Sequence, residues 1–92
     1  MLNKLKETLR QAVRESSSVG PDVKFDDDTQ ILAEGIIDSL GIFSVMSEIE
    51  KDLGVSLPPE EIAAENFQSV NIMMEMVTRL VDSGAISMDA AE

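Results

Sequence analysis

Ser39 stands at the head of an amphipathic stretch, preceded by Asp38 and by the turn-like run Glu34-Gly35-Ile36-Ile37. A hydroxyl at the start of a helix lies beside unpaired backbone N–H groups and the positive end of the macrodipole, which favour a phosphodiester on its oxygen. The same place suits a plain helix cap. A hydrolase-type nucleophile needs a base within hydrogen-bond reach, and the chain has no His. The nearest downstream lysine, Lys51, lies twelve residues along the same helix, ~18 Å away at about 1.5 Å per residue. Serine hydrolysis is excluded. With no Cys either, disulfides, thiol catalysis and the usual zinc sites are removed too. Asp26-Asp27-Asp28 invites a calcium loop, but the sixth and twelfth positions from Asp26 hold Ile31 and Ile37, where such a loop requires Gly and Glu. The triplet reads as a solvated acidic loop. Met73, Met74 and Met76 read as core filling at helical spacing, not as a methionine-lined groove.

The element that carries Ser39 is the clearest one. A helix is predicted from Ser39, as N-cap, to about Leu53, with Gly54 in the left-handed position that ends it. At about 100° per residue, Ile42, Val45, Met46, Ile49 and Leu53 cluster within about 100° of arc and face the core. Leu40 then points nearly opposite, and Phe43 sits on the shoulder of the stripe. Two large apolar side chains off the core face, within one turn of Ser39, suit a docking patch beside a modified serine.

The other elements follow from periodicity and breakers. Leu2, Leu5, Leu9, Ala12 and Val13 predict a first helix over residues 3–15. Ser16-Ser17-Ser18-Val19-Gly20-Pro21 breaks it, and residues 22–38 form a long connection that Phe25, Ile31, Leu32 and Ile36 pin to the core. Pro58-Pro59 bars continuation of the second helix, and Pro59-Glu60-Glu61-Ile62-Ala63-Ala64 starts a short third one. Ser69 caps a fourth helix with the stripe Val70, Met73, Val77 and Leu80, closed by Gly84; residues 84–92 are expected to be a flexible tail. The expected fold is all-α: a four-helix bundle with three longer helices, one short third helix and a long loop between helices 1 and 2. Ninety-two residues make one domain, 1–92, with a core at about 3–82.

At 43% hydrophobic residues the chain can build a core, but a deep enclosed cleft is not expected at this size. The net charge of −11 is uneven: residues 26–66 hold eleven acidic side chains against Lys51 alone. That field repels nucleic acid and anionic membrane surfaces and favours partners with basic patches. The charged N-terminus has no signal-peptide apolar stretch, and no apolar run approaches a membrane span. A cytoplasmic monomer that does not insert in membranes is expected.

Gly35-Ile36-Ile37-Asp38-Ser39-Leu40, followed by an acidic amphipathic helix, resembles the Asp-Ser-Leu phosphopantetheine attachment motif of acyl carrier proteins. Glu48-Ile49-Glu50-Lys51-Asp52-Leu53-Gly54-Val55 and Leu57-Pro58-Pro59-Glu60-Glu61 follow in family order and spacing, so that the resemblance spans roughly residues 3–82. It implies a four-helix carrier, not an enzyme, with 4'-phosphopantetheine on Ser39. A phosphopantetheinyl transferase would install the group from coenzyme A. It also implies that partner enzymes read the second helix, here through Asp38, Leu40, Phe43, Ser47 and Glu50. Fatty-acid-type carriers usually place an acid directly after Asp-Ser-Leu. This chain has Gly41, Ile42, Phe43 and Ser44 there, with Glu48 and Glu50 only later. Asp-Ser-Leu-Gly, and Glu65-Asn66-Phe67-Gln68-Ser69 before the last helix, look more like stand-alone D-alanyl and aminoacyl carriers.

The expected function is thus to hold an aminoacyl or small acyl group as a thioester on the Ser39 arm. An adenylating ligase would load it and a downstream acceptor enzyme would receive it. The rival within the class is an acyl carrier of fatty-acid or polyketide synthesis. Outside it, the rival is an acidic helical adaptor with Ser39 unmodified. The medium-to-large stripe of the second helix, backed by Ile62 and Met73, should fill the interior and leave no room for a long acyl chain.

Overall fold

Leu5, Leu9, Ala12 and Val13 recur on one face, and the computed structural model, which describes residues 2–20 and 22–86, buries all four on helix α1, Leu2–Ser16. Helix α2, Ser39–Leu53, buries Gly41, Ile42, Val45, Ile49 and Leu53 against α1 and the rest of the core. Gly54 ends α2 in the left-handed region at φ 67°, where its N–H donates to the Glu50 carbonyl at 2.8 Å. Helix α3, Val70–Asp82, begins at Ser69, whose hydroxyl accepts from the Ile72 N–H at 3.1 Å. It buries Val70, Met73, Met76, Val77 and Leu80. The described residues are all-helical, with no strand.

The expected short third helix is replaced by two separate 3₁₀ turns, Pro59–Glu61 and Ala64–Asn66. Among the described residues three α-helices, not four, therefore make the frame. Between the turns Ala63 is extended, at φ −137° and ψ 151°. The break has a local cause: the Asn66 side-chain amide donates to the Glu61 carbonyl at 2.8 Å, offering the chain an alternative to a continuing helical ladder. The break also lets Phe67 plunge fully into the core. An ion pair from Arg79 to Glu61 ties the first turn to α3.

The connection between α1 and α2 is held by the anchors read from the sequence and by one more. Ile31, Ile36 and Ile37 are buried, while Phe25 and Leu32 are half-buried against the core. The Ile31 carbonyl accepts from the N–H groups of Ile36 at 2.8 Å and Ile37 at 3.2 Å, and the Ile31 N–H donates to the Gln68 carbonyl at 2.8 Å. Arg14 stacks over the Phe25 ring, 5.5 Å from its centroid.

The acidic triplet is a clamp, not merely a solvated loop. Arg10 donates to both carboxylate oxygens of Asp27, Nε to Oδ1 at 2.8 Å and Nη2 to Oδ2 at 2.7 Å. Lys6 lies 3.6 Å from the same carboxylate. The Asp27 carbonyl accepts from the Asn71 N–H at 2.9 Å, and Asp28 accepts from the Asn71 side-chain amide at 2.6 Å. One loop thus fastens α1 to the start of α3. The Arg10 hydrogen bond, reinforced by the charges of Arg10 and Lys6, holds the Asp27 carboxyl below the usual carboxylate range. A depressed folded-state pKa contributes stability that is fully present above the unfolded value, about pH 4, and is lost as pH falls through the folded value. Thermal melts from about pH 3 to 7 should therefore show wild type losing more stability below pH 4 than Asp27→Asn, which starts lower at neutral pH. Parallel curves would remove Asp27 from the acid response.

The chain stays on the core beyond α3: the Ala85 and Ile86 N–H groups donate to the Leu80 carbonyl, and Ile86 is buried. The rest of the expected tail, 87–92, lies outside the described residues. Among the described residues no helix is long and apolar enough to cross a membrane.

Candidate functional site

Asp38, one residue before Ser39, decides how α2 begins. Its backbone is extended, at φ −110° and ψ −174°, and its Oδ1 accepts from the Gly41 N–H at 2.9 Å. Asp38 is therefore the N-cap and Ser39 the first helical residue, which corrects the expectation that Ser39 caps the helix. Both residue types cap well, and the backbone alone distinguishes them. The consequence is chemical: the cap is supplied by a neighbour, and the exposed Ser39 hydroxyl is not needed for it.

The seat beneath this turn is built from the loop. Gly35 turns the chain at φ 74°, after which Ile36 and Ile37 drop into the core. The Ile36 carbonyl accepts from the Ser18 N–H at 2.7 Å, joining the loop to the chain just past α1. Ser39 so stands at a junction of α1, the loop and α2, on the rim of the core.

Beside it lies an apolar surface. Leu40 is 74% exposed and Phe43 is 54% exposed. Ser47 is exposed one turn further on. At about 100° per residue, Leu40, Phe43 and Ser47 fall within about 60° of arc, on the side of α2 away from Ile42, Val45 and Ile49. Glu50 is placed differently. It is half-buried, and its Oε2 accepts from the Leu57 N–H at 2.7 Å, holding the segment after α2 against the helix. No local sequence pattern signals that contact. Gly41 is another residue whose part was not read from sequence: it is buried on Ile37.

The interior beneath α2 is occupied by Ile42, Val45, Ile49 and Leu53 from α2 and Met73, Met76 and Val77 from α3, none more than 7% exposed. A groove of about 1020 Å³ lies on the outer side of α3 between Lys6 and Arg79, over Met74 and Thr78. A smaller one, about 400 Å³, lies between α1 and α2 and carries Glu7, Glu15, Glu48 and Asp52. Neither groove is lined by Ser39 or by a residue of that interior.

The arrangement offers an exposed serine at the start of a helix, with an apolar patch alongside and no histidine in the chain to activate it. A family model described as the phosphopantetheine attachment site matches residues 7–77, from α1 through most of α3. Comparison with curated proteins and with solved structures finds no match.

Proposed function

The chain belongs to the phosphopantetheine attachment family, and from that premise we propose that Ser39 is its attachment residue and that its cargo is an aminoacyl or other small acyl group. Members of this family are non-catalytic carriers that hold 4'-phosphopantetheine covalently. The observation that supports Ser39 is its place as an exposed first residue of α2, freed from capping by Asp38. It fits the group: Ser39 is exposed, and the helix start favours a phosphodiester. Bound there, the arm supplies a terminal thiol on which cargo rides as a thioester.

For attachment, the Ser39 oxygen bonds to the phosphorus of coenzyme A that bears the pantetheine, and the bond from that phosphorus to adenosine bisphosphate breaks. The serine proton must leave to a base, which the phosphopantetheinyl transferase supplies. Leu40, Phe43 and Ser47 present the face that partners read, with Asp38 at its edge. Glu50 borders that face while its carboxylate holds Leu57. The partners are the transferase, an adenylating ligase that loads the cargo, and an acceptor enzyme. The carrier works as a cytoplasmic monomer.

The small cargo is supported by the filled interior. A long acyl chain would have to displace Ile42, Val45, Ile49, Met73 and Met76 from ordinary packing. A polar aminoacyl thioester gains nothing from an apolar core, since its ammonium would need desolvation. The test is to load the holo protein with an alanyl and, separately, an octanoyl thioester. Intact mass and peptide mapping should place one group on Ser39, and neither thioester should raise the melting temperature or shift core amide resonances. A rise with octanoyl alone, with shifts at Met73 and Met76, would favour the fatty-acid or polyketide alternative, because methionine yields readily.

A further inference from the structure

We propose that Gly41 is a positioning residue for Ser39: its missing side chain lets the first turn of α2 rest directly on Ile37, and this contact sets where the Ser39 hydroxyl faces. The inference depends on Ser39 being the attachment residue.

Gly41 is buried, although Leu40 beside it is 74% exposed. It is not among the glycines with positive φ, so the backbone there does not require glycine. Within a helix glycine is a poorer choice than alanine. What Gly41 contributes is space. A Cβ at this position would stand 3.0 Å from Cβ and 3.6 Å from Cγ2 of Ile37, and 3.5 Å from the carbonyl oxygen of Ser16 at the end of α1.

Ile37 is poorly placed to retreat. It is 1% exposed, and its β-branch is stiff at χ1. Its N–H donates to the Ile31 carbonyl at 3.2 Å, while Ile36 is held by Ile31 on one side and Ser18 on the other. Ile31 is in turn tied to Gln68, before α3. The seat is thus braced by three parts of the chain. The first turn of α2, with Ser39 and Leu40 on the surface, is the freer partner. A side chain at position 41 therefore displaces that turn rather than the seat, and carries Ser39 with it. The Asp38 cap moves too, because its acceptor oxygen is aimed at the Gly41 N–H.

The experiment compares transferase-catalysed loading of wild type, Gly41→Ala and Gly41→Val. Loading from coenzyme A is followed by intact mass, and each protein is melted by circular dichroism and assayed well below its melting temperature. Misplacing a reacting group by a fraction of an ångström should lower kcat/KM for Gly41→Ala by about tenfold, chiefly in kcat. The better helix propensity of alanine should meanwhile keep its melting temperature near wild type. Gly41→Val puts two further carbons into the same contact, so it should displace the turn more and lower kcat by a further several-fold with little change in KM. Wild-type kinetics for Gly41→Ala, a loss explained by the unfolded fraction, or no further loss in Gly41→Val would each overturn the proposal. If wild type itself is loaded on another serine or not at all, the assignment of Ser39 has failed, and Gly41 falls with it.

Discussion

Ser39→Ala should abolish the mass added by coenzyme A and a broad-specificity transferase, while leaving the melting temperature close to that of wild type. The two halves of this result have separate causes. Loss of modification follows from losing the only atom to which the phosphodiester is proposed to be joined. Retention of stability follows from the cap: Asp38, not Ser39, accepts from the Gly41 N–H, and alanine is a better helix former than serine at the first helical position. Asp38→Ala should lower stability as well as loading. It leaves the hydroxyl in place but removes the cap, at about 0.5–2 kcal/mol. The competing hydroxyls are Ser44 and Ser47, both exposed on α2, and Ser69, which is 2% exposed and occupied in capping α3. A group found on any of these by peptide mapping would refute the assignment. A fully loaded Ser39→Ala would do so as well.

The largest stability effect should come from Ile49→Asp, which is expected to unfold the domain at room temperature. Ile49 is completely buried on the inner face of α2. An aspartate there loses the apolar contacts and brings a carboxylate into a site with no partner, a combined cost of several kcal/mol. A domain this small has little more than about 5 kcal/mol to lose. Leu40→Asp makes the same kind of chemical change at a position 74% exposed, so its melting temperature should move by only about 2–4 °C, on the order of 0.5 kcal/mol. Its effect should appear in loading by the transferase and the ligase instead. Equal damage to the two melts would show that Leu40 packs against the fold and is not part of a partner-facing patch.

Those contrasting substitutions lie on one helix, and the sequence distinguished them because helical period is a local property. The stripe Ile42, Val45, Ile49 and Leu53, the exposure of Leu40 and Phe43, the caps at Gly54 and Ser69, and the anchors Ile31 and Ile36 could all be read from spacing and residue type. Other features depend on contacts across the chain. Arg10 and Asp27 are seventeen residues apart and meet only once the loop has folded back on α1. Glu50 reaches Leu57 around the end of its own helix. Asp38 and Ser39 are both good caps, and the extended backbone at Asp38 settles which one serves. The third helix failed for a subtler reason. Pro59-Glu60-Glu61 does start a turn, but Asn66 competes for the Glu61 carbonyl and Ala63 straightens. Propensity alone does not register that competition.

The loop between α1 and α2 has a consequence for the order of events during synthesis. Ser39 is made before Gln68 and Asn71, yet the loop beneath it is closed by them: Gln68 receives the Ile31 N–H, and Asn71 bonds both Asp27 and Asp28. A nascent chain that ends short of α3 holds the serine but not the braced turn that presents it. With Ser39 as the proposed attachment residue, its recognition by a modifying enzyme then depends on residues translated some thirty positions later. A stalled or truncated chain would remain a poor acceptor, and the cell would spend its coenzyme A on finished carriers.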